Sequence, residues 1–309
     1  MHVLEVNHLK KSFGAVQAVK DVSFQVEQGE VFTIIGPNGA GKTTTLEMIE
    51  GLVPPNQGEI QFGNLNWKKN SDDIKKIIGV QPQLSAMFDL LTPSEHLQLF
   101  ASFYDKSRHE DEILKMVNLT EHKDKQVRNL SGGQRQRLAI GMAMVGDAEM
   151  IFLDEPTTGL DPQARRNLWD IILRLKALDK TIILTTHYMD EAEQLSDRVC
   201  IVDQGEVITI DRPDALIKKL TVEREVRLAF LEHEEAAINS EKVLNALSVV
   251  SHVERDLTEL KIWTEDPEYT LLELFNFTNK KDYQVDQISI REMSLEDVFI
   301  AFTGKEWRD

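Results

Sequence analysis

The first two thirds of the chain alternate short apolar runs with segments of helical spacing. "EVFTIIG", Glu30 to Gly36, reads as a buried strand entering a glycine loop, and the helical "KTTTLEMIEGL" follows from Lys42. "AEMIFLDE" and "KTIILTTH" are further continuous apolar strands that end in polar residues. This order predicts an α/β fold with a largely parallel sheet through about residue 215. Chemistry in such sheets gathers at the carboxyl ends of the strands. Between about Ser85 and Val145 the strand pattern stops, and "PSEHLQLFASFY" and "HEDEILKMVNL" read as a helical insertion.

Beyond about Leu220 the rhythm changes. "REVRLAF" alternates Val226, Leu228 and Phe230, and a helical run with Val243, Leu244 and Leu247 follows. The strands "VVSHVERD" and "ELKIWTE", the helix "PEYTLLELFNF" and the strand "QVDQISI" complete a β-α-β-β-α-β order, which predicts a small ferredoxin-like α+β domain. A last helix is expected at Ser294, with Asp297 three residues beyond its cap. The expected division is 1–220, with a helical subdomain at about 85–145, and 221–309.

Composition adds bounds. The chain has 309 residues, 41% of them hydrophobic, enough for a substantial core. A net charge of −17 argues against a basic nucleic-acid surface. One cysteine, Cys200 in the apolar "RVCIV", excludes an intramolecular disulfide and reads as a core residue. Neither a leader pattern nor 18 consecutive apolar residues occurs, so the expected location is cytoplasmic, and any membrane partner must supply the membrane. Met142, Met144 and Met150 read as core, and the acidic "LEHEE" and "HEDE" as solvated helix faces.

"GPNGAGKT", Gly36 to Thr43, fits the phosphate-loop pattern G-x-x-x-x-G-K-[ST] with its strand before and helix after. Gly39 and Gly41 allow close backbone approach, Lys42 brings a point charge to the β- and γ-phosphates, and the Thr43 hydroxyl suits Mg²⁺. Gly36, Pro37, Asn38, Gly39, Ala40, Gly41, Lys42, Thr43 and Thr44 are therefore the expected nucleotide cradle. "MIFLDEP" ends a buried strand in two acids. Pleat alternation is expected to aim them apart, Asp154 toward Mg²⁺ and Glu155 toward an attacking water as general base. His187 follows the strand "TIILTT" directly and is a candidate γ-phosphate contact. Gln81 and Gln83 in "VQPQ" either report on phosphate occupancy or end a strand. "LSGGQRQRL", Leu130 to Leu138, puts Ser131, Gly132 and Gly133 before a helix, a second anion-binding end in one chain.

Together "GPNGAGKTT", "LSGGQ", "IFLDEPTTGLDP" and the His187 loop, in this order over about residues 1–215, resemble the nucleotide-binding subunit of ATP-binding cassette (ABC) transporters. The resemblance implies that Gln83 is the glutamine at the lid, beside Thr43 and Asp154 at the metal and beside Glu155 and His187 at the reacting phosphate. It makes Ser131, Gly132, Gly133 and Gln134 the signature motif, Asp161 the acid of the "GLD" loop, and Phe13 in "KSFG" the aromatic that stacks on adenine. It implies ATP and Mg²⁺, and two cassettes paired head to tail, each signature helix facing the partner's phosphate loop. A separate integral membrane permease is implied, docked near Gln83 to Tyr104 where "LSAMFDLL" exposes an apolar edge, with the subunit peripheral on the inner face of the membrane. The tail "SLEDVFIAFTGKE" is similar to that of drug- and antibiotic-type exporters. An importer subunit with a regulatory C-terminal domain and a soluble, non-transport ABC ATPase are the competing readings.

Overall fold

The computed structural model describes residues 2–83, 87–220, 224–230, 247–256, 259–281, 285–291 and 293–304. Two compact units divide them, Met1–Pro213 with Phe302–Asp309, and Asp214–Ala301.

The first unit is built on a sheet of ten strands: β1 His2–Phe13, β2 Val16–Glu27, β3 Val31–Ile35, β4 Gln57–Phe62, β5 Leu65–Asn66, β6 Ile78–Gln81, β7 Met150–Asp154, β8 Thr181–Thr186, β9 Arg198–Asp203 and β10 Glu206–Asp211. Their spatial order is β5-β4-β1-β2-β10-β9-β3-β8-β7-β6. The run β9-β3-β8-β7-β6 is parallel. Every residue of β3, β7 and β8 is buried, which explains why their sequences are continuously apolar rather than alternating.

Pleating divides these strands between two cores. Ile151, Leu153, Ile182 and Leu184 join the helical side, while Phe152, Ile183, Phe32 and Ile34 join the opposite side with α1 (Lys42–Ile49).

The expected largely parallel sheet needs correction. The β1-β2, β1-β4, β4-β5 and β9-β10 pairings are antiparallel, so four of the nine pairings depart from the parallel pattern, which β2-β10 keeps. In β1 and β2 the buried positions alternate only in stretches, because four register shifts interrupt the ladder. The β9-β10 hairpin turns through Gln204 (φ 50°) and Gly205 (φ 79°), the two left-handed positions of a tight two-residue turn.

The remaining helices of this unit are α2 Trp67–Ile77, α3 Pro93–Ala101, α4 Glu110–Met116, α5 Gly132–Ala143, α6 Pro162–Ala177 and α7 Met189–Leu195. Between β6 and β7 the described residues form only helices and turns, and α3 opens with a Thr92–Glu95 capping box and Pro93 in its first turn. Met142, Met144 and Met150 are buried, as is Cys200. No helix among the described residues is long and apolar enough to cross a membrane.

The second unit holds most of α8 Pro213–Leu220, then β11 Arg224–Phe230, β12 Val250–Asp256, β13 Glu259–Thr264, α9 Pro267–Lys281, β14 Val285–Arg291 and most of α10 Leu295–Thr303. Its sheet runs β12-β13-β11-β14 with every neighbour antiparallel. Val226, Leu228, Leu260 and Ile262 alternate inward onto Leu274 of α9. Ser294 and Asp297 close the start of α10 through the Ser294 N–H and hydroxyl, at 2.9 and 3.0 Å. Val243, Leu244 and "LEHEE" lie outside the described residues.

Candidate nucleotide site

β3 delivers the chain into the loop Gly36–Gly41, and α1 begins at Lys42. Two glycines there are sterically required. Gly41 caps α1 in a left-handed conformation (φ 99°), and a Cβ on it would lie 2.5 Å from the Ala18 carbonyl oxygen. A Cβ on Gly36 would strike the Val202 carbonyl. Ala40 N–H donates to Pro37 O at 3.1 Å, closing the loop into a tight turn.

Lys42 is only 4% exposed, and its Nζ donates to Gly36 O at 2.9 Å and Pro37 O at 3.3 Å. Burial lowers its pKa, opposed by the neighbouring Glu155 and Asp154 carboxylates. Held by the backbone carbonyls of a turn, the ammonium stands where phosphate oxygens entering the loop would meet it.

Asp154 ends β7. Its Oδ1 accepts from the Thr43 hydroxyl at 3.3 Å and from the Thr185 hydroxyl at the end of β8. Burial nevertheless pushes its pKa up, the hydroxyl donors offsetting only part of the effect. A cation beside it would relieve that penalty. A hydroxyl and a carboxylate in contact are the hard oxygen donors that Mg²⁺ takes, with phosphate and water oxygens completing the shell. Thr43 and Asp154 therefore fit the metal that the sequence assigns to them.

Glu155 does not separate from Asp154 by pleat alternation, as expected from the sequence. The strand ends at Asp154, and Glu155 adopts a left-handed backbone (φ 45°), its N–H donating to Thr185 O at 3.1 Å. This turn sends its carboxylate to different partners. Oε1 lies 3.5 Å from Lys42 Nζ. Around Oε2 stand the Thr158 hydroxyl at 3.0 Å, Gln83 Nε2 at 3.4 Å and His187 Nδ1 at 3.2 Å, the last without hydrogen-bond alignment. Both carboxylates thus meet the α1 end of the loop, and His187 and Gln83, far apart in sequence, converge on one oxygen. Gln81 is buried, with its Nε2 donating to Pro82 O at 2.7 Å.

Phe13 sits at the end of β1, 50% exposed, with Lys11 Nζ 5.1 Å from its ring centre. Such an open aromatic face next to a cation is a surface on which a base can stack.

The second anion-binding end forms a separate cluster. Ser131 caps α5: its Oγ accepts from Gln134 N–H at 3.2 Å while Gln134 Oε1 accepts from Ser131 N–H at 2.9 Å. Asp161 caps α6, accepting from Ala164 N–H at 2.8 Å. The two helix starts are neighbours, since a Cβ on Gly133 would come within 3.0 Å of Ala164 Cβ. The structure thus groups Ser131, Gly132, Gly133 and Gln134 with Asp161, and Lys42, Thr43, Asp154, Glu155, Gln83 and His187 with one another.

Sequence reasoning missed Thr185 and Thr158, which donate to the two carboxylates. Their signal was faint: both are threonines beside a strand end, a placement shared with many residues that serve only the ladder.

A family model described as ABC transporter matches residues 19–158. The linearmycin resistance ATP-binding protein of Bacillus subtilis (strain 168) is 33% identical over 312 residues, covering 99% of this chain and 100% of that one. The Nod factor export ATP-binding protein I of Ralstonia nicotianae is 34% identical, with 99% and 95% covered. Among solved structures, an ATP-binding cassette of an ABC transporter in its ADP conformation matches with a TM-score of 0.63 at 28% identity, over 71% of this chain and 94% of that one. A dimeric post-hydrolysis ATP-binding cassette bound to ADP and Pi matches with a TM-score of 0.61 at 29% identity, over 68% and 98%. The cradle around Lys42, the paired acids at the end of β7 and these likenesses agree: the chain belongs to the ABC transporter family, as an ATP-binding subunit that hydrolyses ATP with Mg²⁺.

Proposed function

We propose that the chain powers export of a small hydrophobic or amphipathic compound, an ion or a lipid through a separately encoded membrane permease. It works there as a pair of identical subunits on the inner face of the membrane. The observation that carries the catalytic part is the convergence of Lys42, Gln83, Thr158 and His187 on the Glu155 carboxylate, next to the Thr43–Asp154 pair. The names of the relatives, linearmycin resistance and Nod factor export, support the export direction.

In this reading ATP lies along the Gly36–Thr44 loop with its adenine on Phe13. Lys42 Nζ exchanges the Gly36 and Pro37 carbonyls for β- and γ-phosphate oxygens. Thr43 and Asp154 would hold Mg²⁺, which would supply positive charge to offset that of the phosphates. Glu155 takes a proton from water as the water oxygen bonds to the γ-phosphorus. The bond from that phosphorus to the bridging oxygen breaks, and ADP leaves with the electron pair. His187 and Gln83, both against Glu155 Oε2, orient this carboxylate and meet the γ-phosphate.

Ser131 to Gln134 and Asp161, clustered apart from Lys42, face the site of the second copy. The helix N-terminus there meets that copy's γ-phosphate, so ATP joins the two halves and hydrolysis releases them. Phe88, Leu90 and Phe103, 60%, 63% and 71% exposed, offer the apolar surface for the permease. Leu84, Ser85 and Ala86 of the same stretch lie outside the described residues.

Glu155→Gln tests the assignment. Phosphate release should fall at least a hundredfold while Mg-ATP drives the variant into a dimer visible by light scattering. A variant that turns ATP over at the parental rate refutes the general-base role.

A further inference from the structure

Glu191, in α7, is a carboxylate with no solvent exposure, and the chemistry described above does not use it. Burying a carboxylate is costly unless it is fully hydrogen-bonded, and an apolar side chain would join two helices at lower cost. Here both oxygens are occupied. Oε1 accepts from Trp169 Nε1 of α6 at 2.9 Å, and Oε2 accepts from the Thr157 hydroxyl at 3.1 Å. Arg165 acts on the carboxylate as a nearby cation. Burial raises its pKa despite these partners.

The position of the donors in the chain is the informative part. Thr157 stands two residues after Glu155, and Glu191 itself four residues after His187. Trp169 and Arg165 lie on α6, whose start is capped by Asp161. On the other side of Glu191, Tyr188 packs against the His187 ring with centroids 4.1 Å apart, and the Arg165 guanidinium lies 4.0 Å over the Tyr188 ring. Arg165 also reaches Asp190 Oδ2 at 3.4 Å. A single buried carboxylate on α7, four residues after His187, thus ties the segment leaving Glu155 to α6.

We propose that Glu191 is a positioning residue for hydrolysis: it fixes the Thr157 segment against the start of α7, just after His187, and so sets His187 against the Glu155 carboxylate. It contacts neither nucleotide nor water. This rests on Glu155 and His187 acting at the γ-phosphate.

The test measures steady-state ATPase kinetics, ATP affinity and melting temperature of the full chain. Glu191→Gln keeps the arrangement, since its amide oxygen accepts from Trp169 and its amide nitrogen donates to the Thr157 hydroxyl. Glu191→Ala removes both bonds, and Thr157→Val removes one of them with little change of shape. Expected are a kcat lowered tenfold or more in Glu191→Ala and Thr157→Val, an ATP affinity within twofold of the parent, and recovery of most of the rate in Glu191→Gln. Should Glu191→Ala fail to fold, Thr157→Val carries the same test. Parental kcat in Thr157→Val overturns the proposal, as does a Glu191→Gln variant with a rate as low as that of Thr157→Val. A rate that falls only in proportion to lost folded protein overturns it too. His187→Ala separates the two levels: if it hydrolyses ATP normally, the reading of the site fails, whereas an inactive His187→Ala beside a fully active Thr157→Val sinks this inference alone.

Discussion

Glu50, at the carboxyl end of α1, makes stability depend on pH in a direction opposite to the usual carboxylate. The residue is 7% exposed, and its Oε1 has no hydrogen-bond partner among the described residues. Burial, then the charges of Asp154 and Glu47, push its pKa from 4.5 to about 8. A carboxyl group raised in the folded state contributes stability fully present below pH 4.5, and that stability is lost as pH rises through 8. A tenfold difference in proton affinity between folded and unfolded chain corresponds to about 1.4 kcal/mol, so between pH 5 and pH 9 the loss approaches ~4 kcal/mol as an upper bound. Glu50→Gln is neutral in both states and removes this slope. Its unpaired amide N–H groups cost about 1–3 kcal/mol at every pH, so the difference between the curves, and not their absolute height, is the quantity to measure. The assay is urea unfolding of the nucleotide-free chain at steps from pH 5 to pH 9. The stability difference should move in favour of Glu50→Gln by roughly 3–4 kcal/mol across that range, nearly all of it above the unfolded-state pKa. Parallel curves for parent and variant refute the reasoning.

Three other outcomes follow from the structure. Lys42→Ala removes the charge that meets the phosphates and should weaken ATP binding by about 10- to 100-fold, on the order of a charge-assisted hydrogen bond, as read by nucleotide titration; unchanged affinity contradicts the assignment. Ser131→Arg should bind ATP as a monomer with parental affinity yet give no ATP-dependent dimer in sedimentation, and full ATPase activity in this variant removes the case for a site shared between copies. Cys200 is fully buried with its thiol pKa pushed up to about 12, so a maleimide at pH 8 should label the folded chain negligibly and the urea-unfolded chain completely.

The parts of the site that were legible share one property: each couples a rare residue type to a strand end. Asp154, Glu155 and His187 stand where a continuous apolar run meets polar residues, and Lys42 follows β3 across the glycine loop, so periodicity and chemistry pointed to the same places. Local pattern left Gln83 as either a reporter on phosphate occupancy or a strand end, because its meeting with Glu155 depends on β6 pairing with β7, which local pattern does not reveal. Thr185, Thr157 and Glu191 were invisible for a different reason. Threonine in a strand and glutamate in a helix are ordinary, and only the packing of α6 and α7 on the sheet turns them into a network. The antiparallel part of the sheet escaped because β1 and β2 are bulged. Leu4 and Val6 alternate, then His8 takes a left-handed backbone (φ 50°) and the phase slips before Leu9.

The two glycines of the signature turn answer to different constraints, and this bears on why one chain carries two anion-binding ends. Gly133 is explained within the chain, since a Cβ there would press on Ala164 at 3.0 Å. Gly132 is not: a Cβ on it would meet nothing, and its backbone does not require glycine. Glycine at the first position of a helix weakens it by up to about 1 kcal/mol relative to alanine. Stability alone therefore favours a side chain at 132, and the reason for its absence must lie outside the folded subunit. The capping box uses the N–H of Ser131 and of Gln134 and leaves those of Gly132 and Gly133 free of side-chain partners in the cap. Bare donors on a helix start with no Cβ in front of them suit the approach of a phosphate carried by another molecule. The phosphate loop at Gly41 shows the contrasting case, a glycine demanded by its own chain at φ 99° against Ala18. One end is thus shaped by its own fold, and the other against it, which supports the proposal that this helix start meets a phosphate carried by a second copy.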